Sequence, residues 1–172
     1  MRIGQEFLQE LNLEAAVTRR FLEQVPFDQL QYKPTEMSEP LGRLAIHVAE
    51  VIAWWTSICE ADHLDFIDFE PKDIRTKDEL LAYFDELLAG ARESLSKVED
   101  EVFDQSWSMT HGDQVLFTLP KKQVARLFCM NHLVHHRAQL GMYLRLMGAT
   151  VPATYGPSAD DDLVILTTKF AG

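Results

Sequence analysis

Cysteine is scarce in this 172-residue chain: Cys59 and Cys129 are the only two, and they lie far apart in sequence. That excludes a disulfide framework, and both read as small buried hydrophobes inside apolar helical patterns. No run of about 18 apolar residues exists, so no transmembrane helix is expected. The start, MRIGQEFLQELNLE, is acidic and amphipathic and lacks the apolar centre of a signal peptide, which points to the cytoplasm. Positive charge is also in deficit, 16 Lys and Arg against 27 Asp and Glu, for a net charge of −11. The nearest approaches to a basic cluster are Arg19–Arg20 and Lys121–Lys122, pairs of the kind found on solvated helix faces. Phosphate binding needs clustered Lys and Arg, so neither nucleic acid nor an anionic membrane is an expected partner. Repeats, a Gly-rich phosphate loop and the G-x-S-x-G nucleophile motif are all missing.

What is present suits one domain spanning residues 1–172, with 47% hydrophobic and 25% charged residues. Ile3 to about Val25 carries an apolar face at helical spacing and ends at Pro26. Ser38 is read as the N-cap of a second helix, with Pro40 in its first turn, running to about Glu60. The acidic stretch Ala61 to Arg75 reads as loop. Thr76 and Glu79 form a capping box that opens a third helix to about Val98. Trp107 to Thr110 and Val115 to Leu119 flank His111-Gly112-Asp113 as a short β-hairpin or ordered loop. Pro120 opens the fourth helix and Gly148 closes it. The apolar run Leu163 to Leu166 would be a strand or short helix packing on the bundle or on another subunit. Four long amphipathic helices predict an all-α four-helix bundle with that short hairpin or loop before the last helix.

The chemistry concentrates in Lys121 to Met147. Stepping by four gives Val124, Phe128, His132, His136, Leu140 and Leu144, so two imidazoles interrupt an apolar stripe. Residues four apart on a helix stack with Cβ atoms about 5–6 Å apart, which lets two imidazoles converge on one ion at about 2.0–2.1 Å. Core histidines are also satisfied by a carbonyl or carboxylate, so a third ligand is what decides. His135 is rotated about 100° from His136 and belongs to the flank or surface. In the second helix, His47 interrupts Leu44, Val51, Trp54 and Ile58 in the same way. It is read either as a neutral core histidine or as the third ligand. Glu50, three residues on, is either a carboxylate behind the ligands or a solvated surface group. Three histidines fit a facial site with open positions, as in zinc sites that keep a water. HEXXH fails because Leu133 follows His132, and only Glu60-Ala61-Asp62-His63 approaches a di-iron motif.

These residues resemble a known family. NHLVHHRAQLGMYLRLMGATVP, with LGRLAIHVAEV far upstream and YGPSAD in the tail, is similar to the DinB-like (DinB/YfiT) superfamily of metal-dependent enzymes over most of the chain. One departure is Ala138, where the family often has glycine. The resemblance implies an up-down-down-up bundle, a divalent metal (zinc or nickel) held by His47, His132 and His136, and a homodimer. Relatives include transferases that use a low-molecular-weight thiol such as bacillithiol, so it implies a thiol-dependent S-transferase acting on a small-molecule electrophile. A metal-dependent hydrolase and a non-catalytic metal-binding or interaction bundle are the alternatives.

Overall fold

The computed structural model describes residues 2–160; the run Leu163 to Leu166 lies outside them. α1 (Ile3–Glu23) buries Phe7, Leu11, Ala15, Thr18 and Leu22 along one face, the spacing its sequence dictates. The second helix starts later than Ser38, whose hydroxyl lies 2.9 Å from that of Thr35 instead of capping; Pro40 takes the cap position. It is also broken, into α2 (Leu41–Glu50) and α3 (Ala53–Glu60). Between them the Ile52 amide donates to Ala49 three residues back (3.2 Å), a tightened turn. α4 (Lys77–Lys97) opens on the expected capping box: the Glu79 amide donates to Thr76 Oγ1 (3.2 Å), and the Thr76 amide to Glu79 Oε2 (3.1 Å).

The fourth helix is one rod in three parts: α5 (Lys121–Val124), a π-helical stretch (Ala125–Asn131) and α6 (His132–Leu146). Gly148, at φ 71°, ends it in the left-handed conformation that glycine adopts without strain. Across the wide turn the buried positions advance by five, from Val124 to Cys129 and Ala125 to Met130. Beyond it they advance by three and four through Leu133, Arg137, Leu140 and Leu144. The face pressed deepest into the core is therefore adjacent to the His132–His136 stripe, not identical with it. Lys121 departs from its expected solvated face and is buried at the start of the rod.

α1 packs on α4 and α6, α2 on α6 and α4, and α3 on α4, around fully buried Leu11, Leu22, Leu41, Ile52, Trp55 and Phe84. Each such side chain contributes about 1.5–3 kcal/mol on removal from water. The all-α expectation is wrong: a three-stranded mixed sheet accompanies the helices. Its order is β1 (His63–Asp65), β2 (Ser106–His111), β3 (Gln114–Pro120). β2 and β3 form the antiparallel hairpin that the sequence suggests, turning at Gly112 (φ 58°), with Trp107 and Met109 facing inward. β1 arises inside the stretch read as loop and pairs in parallel with β2, His63 opposite Ser108. Three residues carry no periodicity of their own; the partner strand, more than 40 residues away, supplies the structure. Among the described residues, no helix is long and apolar enough to cross a membrane.

Candidate metal centre

α2 and α6 pack against each other and bring together the three histidines that the sequence singles out. His132 Nε2 lies 2.7 Å from His136 Nε2 and 3.4 Å from His47 Nε2. One nitrogen from each ring falls within 4.8 Å of the other two. All three are half-buried. Metal–nitrogen bonds of about 2.0–2.1 Å in tetrahedral geometry set ligand nitrogens about 3.3 Å apart, close to this spacing.

The electrostatics suit a cation. Burial, then the neighbouring His136 and His47, push His132 down to about 4, against the pull of the Phe128 carbonyl. His136 is lowered too, chiefly by burial. Both rings are neutral near pH 7 and present lone pairs. A neutral imidazole has one donor and one acceptor, so the Nε2 atoms of the three rings, which face one another, cannot all be satisfied by the rings themselves. A divalent ion that accepts the three lone pairs removes this conflict, and the donor set fits one.

Two of the outer nitrogens face the kind of partner that metal-binding imidazoles usually have. His136 Nδ1 donates to Gln139 Oε1 at 2.7 Å, and His47 Nδ1 lies 3.7 Å from Glu50 Oε2. Glu50 is buried, which resolves the choice left open at its position against a solvated surface group. Its Oε2 accepts from Arg43 Nη1 at 2.7 Å. Burial opposes its charge, but His47 and Arg43 outweigh burial and hold the carboxyl below its ordinary range. Gln139→Leu should therefore weaken metal binding about 10–100-fold with the fold intact. A competition titration against a chromogenic chelator measures this, and equal affinity would show that His136 needs no such support.

Acid should act through the same rings. A histidine whose folded pKa is depressed stabilises the fold fully above its unfolded value, about 6.5, and that contribution falls away as pH drops toward the folded value. For His132 the window runs from about 6.5 down to about 4. Melting temperatures of chelator-treated protein should fall steadily from pH 7 to 4.5, and less steeply in His132→Gln. Parallel profiles for the two proteins would contradict this.

Other sequence candidates lie apart from the cluster. His135 is exposed. His63 pairs with Asp62 at 2.8 Å on the surface, and Glu60 accepts from the Ser94 hydroxyl. Cys59 and Cys129 are free; burial first, and Glu60 second, push the Cys59 thiol up to about 12, and burial raises Cys129 as well. Arg137, beside the histidine pair in sequence, turns inward. It meets Glu14 Oε2 (2.7 Å), Thr18 Oγ1 (3.1 Å) and the Tyr155 hydroxyl (2.9 Å). Two cavities flank the cluster and share Arg43 and His47. One, about 670 Å³, is lined also by Ser38, Glu39, His136, Gln139 and Tyr143. The other, about 330 Å³, is walled by Trp54, Leu64, Phe66, Phe69 and Tyr83, with Glu50 at its polar end. Sequence periodicity does not reveal the second, because Leu64 reaches it from β1 and Phe66 from the residue that follows β1.

The DinB family model matches residues 1–162. The uncharacterised protein YrdA of Bacillus subtilis strain 168 is 24% identical over 159 residues, covering 90% of this chain and 89% of that protein. The crystal structure of the DinB-like protein YjoA of Bacillus subtilis superposes with a TM-score of 0.67 at 19% identity, over 84% of this chain and 94% of that one. A DinB-like protein from Bacillus cereus ATCC 10987 gives 0.65 at 21% identity, over 88% and 97%. These likenesses establish the fold.

Proposed function

The chain belongs to the DinB family, and on that premise we propose that it is a divalent-metal-dependent S-transferase that joins a small thiol to an electrophile. His47, His132 and His136 hold the ion, zinc or nickel by the preference of imidazole donors. The meeting of two cavities at His47 and Arg43 carries this reading, since a transferase must seat two molecules side by side and a hydrolase only one besides water. When bound, the metal supplies a Lewis acid that lowers the pKa of a thiol at its open face.

The chain's own residues place the reactants. Ser38, Glu39, Gln139 and Tyr143 offer hydrogen-bonding groups to a polar thiol such as bacillithiol in the larger cavity. Arg43, anchored on Glu50, has further N–H donors for an anionic group at the junction. Trp54 and its aromatic neighbours give the smaller cavity an apolar wall. Neither cysteine of the chain competes as nucleophile, because both thiols are raised far above neutrality. In the reaction the thiol gives its proton to solvent and its sulfur forms the new C–S bond. The leaving group departs with the electron pair of the bond that breaks.

Turnover of 1-chloro-2,4-dinitrobenzene with a panel of low-molecular-weight thiols tests the proposal. Activity should require both thiol and metal and should vanish in His136→Ala. Thiol-independent consumption would replace transfer by hydrolysis, and a fully metallated protein inert with every thiol would leave a non-catalytic metal-binding bundle.

A further inference from the structure

We propose that the smaller cavity seats the electrophile and selects an aromatic molecule bearing a hydroxyl or amine donor. The assignment rests on the two-substrate reading of the site and adds a substrate class to it. At about 330 Å³ the cavity is at the small end of ligand sites, which run from roughly 300 to 1,000 Å³. Trp54, Phe66 and Phe69 give it aromatic walls, with ring centroids 6.0 Å apart for Trp54–Phe66 and 5.8 Å for Phe66–Phe69. Aromatic faces and edges at about 4.5–7 Å favour a further ring over an alkyl chain. Trp54 is also 5.4 Å from the His132 ring, so a guest lying on the indole sits beside the histidine cluster.

The wall is built, not incidental. The Phe66 amide donates to the Thr110 carbonyl (3.0 Å), and Asp65 Oδ1 accepts from the amides of Ile67 (3.0 Å) and Gly112 (2.9 Å). The aromatic segment is thereby tied to the hairpin.

An apolar chamber alone would admit any small oily molecule; Glu50 narrows the choice. Its side chain is 7% exposed, Oε2 is engaged by Arg43, and Oε1 is buried with no hydrogen-bond partner among the described residues. A buried acceptor without a donor is costly, and an occupant carrying O–H or N–H relieves it. An occupant with only acceptors at that end leaves the oxygen unpaired and adds repulsion.

Calorimetric titration with 2-naphthol and 2-methoxynaphthalene, the same ring with its donor methylated, tests the assignment on metal-free and metal-loaded protein alike. 2-Naphthol should bind at least tenfold more tightly. Phe69→Ala should weaken it about tenfold, while Met142→Ala, in the larger cavity, leaves it unchanged. Glu50→Leu should erase the preference, and Glu50→Gln, which keeps shape and an acceptor, should reduce it. Equal affinity for the two naphthalenes in the parent protein, or unaltered 2-naphthol binding in Phe69→Ala, would overturn the assignment. Donor-dependent naphthol binding by a protein that transfers no thiol would uphold the ligand class and remove the transferase reading. Thiol transfer by a protein indifferent to the hydroxyl would do the reverse.

Discussion

His132→Ala should emerge from reloading with zinc or nickel and desalting with far less than one ion per chain, where the parent retains about one. His132 is the hinge of the cluster, the ring whose Nε2 approaches both other histidines, at 2.7 and 3.4 Å. Without it His47 and His136 form a two-ligand site. The loss should exceed the ~10–100-fold that removal of a supporting partner costs. His135→Ala is the matched control: one residue from His136 and exposed, it should keep its metal. Elemental analysis of the parent, His132→Ala, His135→Ala and His136→Ala decides the matter. Equal metal in His132→Ala and parent would sink the site, as would a parent that cannot be loaded. A loss in His135→Ala but not His136→Ala would put the fourth helix out of register by one residue.

Arg137→Ala should be the most damaging substitution for stability at a charged position. The side chain is 2% exposed and pairs with Glu14, itself only 14% exposed. It also donates to the Glu14 carbonyl and Thr18 of α1 and to Tyr155 of the tail. Breaking a buried pair costs about 3–5 kcal/mol, because the abandoned charge stays buried. Tyr155 continues to donate to the Glu14 carboxylate (2.8 Å), which places the cost at the lower end, about 3 kcal/mol. For a chain of this size that lowers the melting temperature by roughly 6–12 °C. Metal stoichiometry should be unchanged, since the guanidinium faces away from the histidines. Normal melting with lost metal would mean that Arg137 serves the site and not the fold.

The histidines were legible in the sequence because each breaks an apolar helical stripe, a local signal that survives without knowing how helices pack. The hairpin was legible for a similar reason, as alternation around a glycine turn. β1 was not: its parallel pairing with β2 is a relation between distant segments, and its three residues sit among acids typical of loops. Arg137 was visible as a motif residue, but its burial depends on Glu14, Thr18 and Tyr155 arriving from elsewhere. Glu50 shows the same limit: helical spacing places it near His47, while only Arg43 and the aromatic cavity make it a buried acceptor.

The wide turn at Ala125–Asn131 bears on how such a protein can vary. A π turn holds one residue more than the α turn it replaces, so the chain in effect carries a single-residue insertion absorbed within a helix. Excising one residue there would restore an ordinary α turn and leave the faces of the rod on either side in phase, the amino-terminal end still against α3 and the hairpin. The four-residue interval between His132 and His136 would be untouched. The rod can thus gain or lose one residue between its anchored first half and the donors on its second without either having to turn.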